Sequence, residues 1–160
     1  MKKYGIWIGF FLILVYMISQ NMTVAIGKEI NRDEIFDTIR KGYEAQYSIR
    51  DKHYTVEKMY NMLTPYITDN FLQVFTDENP SHTKSSGQHL LSKVPPFTFT
   101  ASTSISYDRD HQLLYIYERI AEPTPLYKIV VMQKEKGKWK MAAYNENETL
   151  PIDIQNLEKE

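Results

Sequence analysis

Between Phe97 and Asn145 the chain carries four apolar or alternating runs, each closed by turn residues, and this pattern constrains the fold more than any other feature. The runs are Phe97–Tyr107, Leu113–Ala121, Leu126–Glu135 and Lys138–Asn145, and they predict a four-stranded antiparallel meander. In the first, Phe97, Phe99, Ala101, Thr103, Ile105 and Tyr107 share one face and Thr98, Thr100, Ser102, Ser104 and Ser106 the other. Side chains alternate along a strand, so one face is apolar and one is wet. The second run is apolar on both phases and belongs inside the sheet. The third centres on Ile129, Val130 and Val131. The fourth sets Trp139, Met141 and Ala143 on one phase, with Lys138 and Lys140 opposite. In the last connection, Glu135-Lys136-Gly137-Lys138, Gly137 supplies the positive φ that a short hairpin loop needs.

Upstream of the meander the period changes from two to between three and four. Asn31-Arg32-Asp33-Glu34 reads as a capped helix start, and Ile35, Phe36, Ile39, Tyr43 and Tyr47 mark the inner stripe of a long helix reaching about Lys52. Thr55 caps a second helix with Val56, Met59, Tyr60 and Leu63 inward, and Pro65 ends it at Thr64. A third begins at Thr68-Asp69, with Phe71, Leu72 and Phe75 inward. The fold class is therefore α+β: N-terminal helices, one of them long, packed on a curved four-stranded antiparallel meander.

Lys2-Lys3 preceding the uncharged run from Tyr4 to Ile18 has the basic and apolar regions of an export signal. Ala25-Ile26-Gly27 offers a cleavage site. Residues 4–26 are also uncharged throughout, and about 20 residues suffice to cross a bilayer as an uncleaved anchor. With the lysines retained inside, the remainder of the chain is extracytoplasmic, secreted or membrane-anchored by its N-terminus. The expected organisation is a signal peptide or signal anchor over 1–27, a folded domain over 28–146 with a long polar loop at 79–96, and an acidic tail over 147–160. The tail carries Ile152, Ile154 and Leu157 as possible anchors and room for a short closing strand.

Several chemistries lack their residues. There is no cysteine, which excludes disulfides, thiolate metal sites and a Cys nucleophile. The net charge of −1 argues against a nucleic-acid partner. His53, His82, His89 and His111 do not have metal-ligand spacing, so neither a metal nor another cofactor is implied. Asp108, Asp110 and His111 read as a solvated hairpin tip. Ser85-Ser86-Gly87 lacks the elbow of serine hydrolases. Two groups remain as candidates. Tyr43, Tyr47, Tyr115 and Tyr117 can converge between helices and sheet as a ligand-binding set. Glu118 shares a strand phase with Leu114, Ile116 and Ile120, where a carboxylate is either paired, for instance with Lys128 across the hairpin, or raised in pKa as a catalytic acid or base would be. Lys134, Lys136, Lys138 and Lys140 form a basic hairpin that meets anionic surfaces or is neutralised by the acidic tail.

The order of elements, with Thr64–Phe75 (TPYITDNFLQVF) and Leu126–Met141 (LYKIVVMQKEKGKWKM), resembles the NTF2-like and cystatin-like superfold, in which helices and sheet enclose a cone. The second segment is similar to the paired last strands of small exported NTF2-like domains and of exported Gram-positive envelope proteins. That superfold hosts isomerases, dehydratases, transport factors and structural modules, so the resemblance implies an architecture and leaves the activity open. The resulting expectation is a non-enzymatic envelope module that binds a protein, peptide or wall polymer. The alternatives are a hydrolase or isomerase acting on a small apolar substrate through Glu118 and a cavity tyrosine, and a carrier of a small ligand.

Overall fold

The computed structural model describes residues 30–49, 52, 54–78, 94–121 and 125–159, with backbone alone for 74–78. Residues 1–29, where an export signal or anchor is expected, His53, His82, His89, Ser85-Ser86-Gly87 and residues 79–93 of the polar loop lie outside the described residues. Among the described residues no helix is long and apolar enough to cross a membrane.

The chain divides into two compact units, residues 1–35 and 36–160. In the first, the described part is the opening of helix α1 (Arg32–Ile49). Asn31 Oδ1 accepts the backbone N–H groups of Asp33 (3.0 Å) and Glu34 (3.4 Å), which supplies partners for two of the amides that a helix start leaves unpaired.

In the second unit, Phe36, Ile39, Tyr43, Gln46 and Ile49 form the buried stripe of α1 at helical spacing. Gly42 is also buried, and a Cβ there would collide with the Met141 methyl group and come within 3.1 Å of Tyr66 Cβ. A side chain there would have to displace the end of Met141, which packs directly over the helix backbone. Helix α2 (Val56–Leu63) starts at Thr55, whose Oγ1 accepts the Lys58 N–H at 3.2 Å, and ends before Pro65. Helix α3 (Asp69–Glu78) comes next, with Leu72 fully buried.

The sheet runs β1 (Ser104–Asp108), β2 (Leu113–Ile120), β3 (Leu126–Glu135), β4 (Lys138–Asn147), each antiparallel to its neighbour and in chain order. It is an open four-stranded meander with helices packed on it, and the class is α+β. Leu114, Ile116, Val130, Met132, Trp139 and Met141 share one buried face. At the β4 edge, Tyr66–Thr68 adds a short parallel bridge: Met141 N–H donates to Tyr66 O (2.8 Å) and Thr68 N–H to Met141 O (2.9 Å). The β3–β4 loop has Lys136 and Gly137 both at positive φ, the geometry of a two-residue hairpin turn.

Four expectations change. The first strand begins at Ser104, not Phe97. Over residues 97–103 the hydroxyls of Thr98, Thr100 and Ser102 bond one another (2.8–3.2 Å), offering an alternative to a strand ladder that alternation cannot reveal. Phe99 there takes a φ of 57°, a left-handed conformation costing a side-chain-bearing residue about 1–2 kcal/mol. Edge-on packing against Phe36 and Phe97, with Arg40 4.2 Å above its ring, offsets that cost.

The second change is a bulge. Met132 pairs with Met141 but Val131 with Ala143, so Ala142 is an extra residue and Ala143 moves to the face opposite Trp139 and Met141. Third, Lys140 is buried, 4 % exposed, and ion-paired with Glu135, so the hairpin lysines are not one solvated basic patch. Fourth, the C-terminal residues build a helix, α4 (Ile152–Leu157), in place of a closing strand. Leu150 and Ile154, four residues apart, bury against Tyr117 and Ile129 on the second face of the sheet, while Ile152 stays exposed. The Gln155 side-chain amide fastens the turn by donating to Leu150 O at 2.6 Å.

Candidate functional site: a groove between the β1–β2 turn and α4

Cross-strand partners point to the same face, so the register decides which candidate residues can meet. Tyr115 and Tyr117 lie in line with Val131 and Ile129 on the α4 side. Tyr43 belongs to the buried stripe of α1 on the other side, and Tyr47 is 41 % exposed. The four tyrosines therefore do not form one site. Tyr43 is a core residue whose hydroxyl has no hydrogen-bond partner, and burial, with a smaller contribution from Glu146, pushes its pKa up. Tyr117 donates to Glu158 Oε1 at 2.5 Å and sits 3.1 Å from the Ser106 hydroxyl.

Glu118 stays on the helix side and is 4 % exposed. Its Oε2 accepts the Thr103 hydroxyl at 2.7 Å and the Thr98 N–H at 2.9 Å, and Oε1 accepts the Ser102 hydroxyl at 3.4 Å. Burial alone raises its pKa, but these donors outweigh it and hold the carboxyl below its ordinary value. Lys128, opposite Glu118 in the ladder, reaches Glu146 at 3.9 Å instead. A carboxylate fixed as an acceptor for a loop is a fastening for residues 98–103. Catalytic proton transfer asks for the opposite shift.

The β1–β2 turn is built around Asp108. Its Oδ1 accepts the N–H groups of Asp110 and His111, both at 3.0 Å, and Oδ2 accepts His111 Nδ1–H at 2.8 Å. A carboxylate can only accept, so the Nδ1 atom carries the proton. The His111 backbone and side-chain hydrogen bonds lower the Asp108 pKa, and Asp108 in turn raises that of His111. This turn faces α4 across a groove of about 670 Å³, with Leu113, Tyr115 and Leu157 as apolar lining and Asp108, Arg109, Asp110, His111, Asp153 and Asn156 as its polar groups.

An Asp–His pair is half of a nucleophile-activating relay, but among the described residues no serine, threonine or cysteine lines the groove. Tyr115 brings a hydroxyl to the same groove, and burial, then Asp108 and Asp153, raise its pKa, which disfavours the phenolate. Among the described residues no cluster of three His, Asp or Glu is placed to hold a metal. Asp110 and His111 are exposed in the turn, as the sequence implied, while Asp108 is buried; the groove itself was not legible because its opposite wall comes from α4, some forty residues later in the chain. The four-residue spacing of Leu150 and Ile154 was the available signal.

No curated protein and no solved structure matches the chain. A family model described as "Protein of unknown function (DUF3993)" matches residues 31–120, more than half of the sequence and a span that includes Asp108, His111, Tyr115 and Glu118, so the chain belongs to that family.

Proposed function

We propose that this chain is an exported, non-enzymatic cell-envelope module that takes an extended partner, a protein segment, a peptide or a wall polymer, into the groove between the β1–β2 turn and α4. The groove carries the reading: it combines an aromatic and aliphatic lining with ordered polar groups, as recognition sites do, and its described lining holds no activated nucleophile. The enzyme alternative loses its main support with Glu118, whose pKa is lowered by its hydroxyl and amide donors. Export rests on Lys2-Lys3 and the uncharged run from Tyr4 onward.

Two measurements test the two halves. A reporter fused after Glu160 is expected to be active outside the cytoplasm, and activity inside would overturn the localisation. For binding, soluble peptidoglycan fragments and pooled extended peptides are titrated into the isotope-labelled chain. Amide shifts should concentrate on Leu113–Tyr115 and Asp153–Leu157, and Tyr115→Ala should remove them. Shifts confined to the helix side, or turnover of the added ligand, would sink the reading.

A further inference from the structure

The two edges of the sheet are treated differently. The β4 edge is occupied in part by Tyr66–Thr68. At the other edge β1 pairs with β2 alone, and among the described residues no backbone group of Ser104–Asp108 bonds to anything on its outer side. Proteins usually blunt such an edge with lysine, proline or a bulge. The sequence of β1, Ser-Ile-Ser-Tyr-Asp, has neither lysine nor proline, its pairing is regular, and its one charge, Asp108, is tied into the turn. An open edge with no such device is suited to main-chain pairing with a partner.

Charge selects the occupant. On the α4 face, β1 presents Ser104, Ser106 and Asp108, small side chains beside two anionic positions: Glu158, held by Tyr117 next to Ser106, and Asp110 with Asp153 at the end of the groove. Arg109 is the fixed cation there, and His111, charged only when protonated, already donates to Asp108. Side chains of an added strand alternate, so residues i and i+2 of a peptide would both face α4.

The geometry points to an extended basic peptide as the occupant: a segment with lysine or arginine at alternate positions adds to β1 as a fifth strand and directs those side chains toward Glu158 and the aspartates of the groove. This inference rests on the proposed binding role of the groove and narrows it to a peptide partner.

The probe is a fluorescein-labelled Thr-Lys-Thr-Lys-Thr-Lys amide, monitored by anisotropy with the full chain. Three changes should each weaken it about tenfold, equivalent to ~1.4 kcal/mol: the double variant Asp110→Asn/Asp153→Asn, acetylation of the peptide lysines, and backbone N-methylation of alternate peptide residues in one of the two phases. N-methylation in the other phase should be tolerated, because alternate amides of an edge-paired strand point away from the sheet. Indifference to N-methylation in both phases would replace strand addition with plain charge attraction and overturn the inference. Equal binding of the acetylated peptide would overturn the basic preference. A concentration-dependent dimer whose β1 amides contact each other would make a second copy of this chain the occupant, also against the inference. If peptidoglycan fragments shift the groove while no basic peptide does, this inference fails alone; if neither does, the binding role of the groove fails with it.

Discussion

Replacing Trp139 with alanine is expected to cost ~3–5 kcal/mol of stability, the range for deleting a large buried aromatic. Trp139 is 7 % exposed on the helix side of β4, edge-on to Tyr107 with ring centroids 6.0 Å apart, and Lys134 Nζ lies 5.4 Å from its ring centre. The loss is therefore one of packing across three strands, since Tyr107 belongs to β1 and Lys134 to β3. Its indole N–H makes no hydrogen bond, so Trp139→Phe, which keeps most of the area and removes a buried unpaired donor, should cost far less than alanine. Lys138→Ala, one residue earlier and exposed, should change little. Denaturant melts of the three variants check this, and equal losses for Trp139→Ala and Lys138→Ala would contradict the strand phase.

Glu118→Ala should cost ~3 kcal/mol, because it strips the acceptor from a fully buried Thr103 hydroxyl and from the Thr98 N–H, and unsatisfied buried donors cost about 1–3 kcal/mol each. The Thr98 side of that loss is reduced by exposure to water. Glu118→Gln can keep a carbonyl oxygen in the place of Oε2 and offer an N–H to Ser102 Oγ, so ~1 kcal/mol is expected. Acid separates the two further. The folded pKa of Glu118 lies below its ordinary 4.5, so its contribution is fully present above 4.5 and disappears as the pH falls through the lower folded value. Wild type should therefore lose its advantage over Glu118→Gln in that acid window. Denaturation at pH 7 and at stepped acidic pH reads both effects, and a neutral Glu118→Ala variant would remove the fastening role.

Much was legible in one dimension because its cause is local. Period-two and period-3.6 patterns located three of the strands, the second half of the first, and the three N-terminal helices. Asn31, Thr55 and Pro65 marked helix ends, and Gly137 marked the last turn, since caps and turns depend on a few consecutive residues. The same local rules identified Glu118 as a carboxylate on an apolar phase, an anomaly that required partners.

What tertiary structure alone decided has non-local causes. Whether Glu118 met a lysine or a fan of hydroxyl and amide donors depended on how residues 97–103 folded back, and those residues left strand geometry once their own hydroxyls found each other and Glu118. The bulge at Ala142 turned Ala143 to the other face, because one inserted residue inverts a period-two pattern that is unchanged in the sequence. The tyrosines separated because register placed Tyr115 and Tyr117 on the face opposite Tyr43. The groove exists because Leu150 and Ile154 had an apolar sheet face to cover, and that burial holds a six-residue helix, too short to be stable by itself, against a turn distant in the chain.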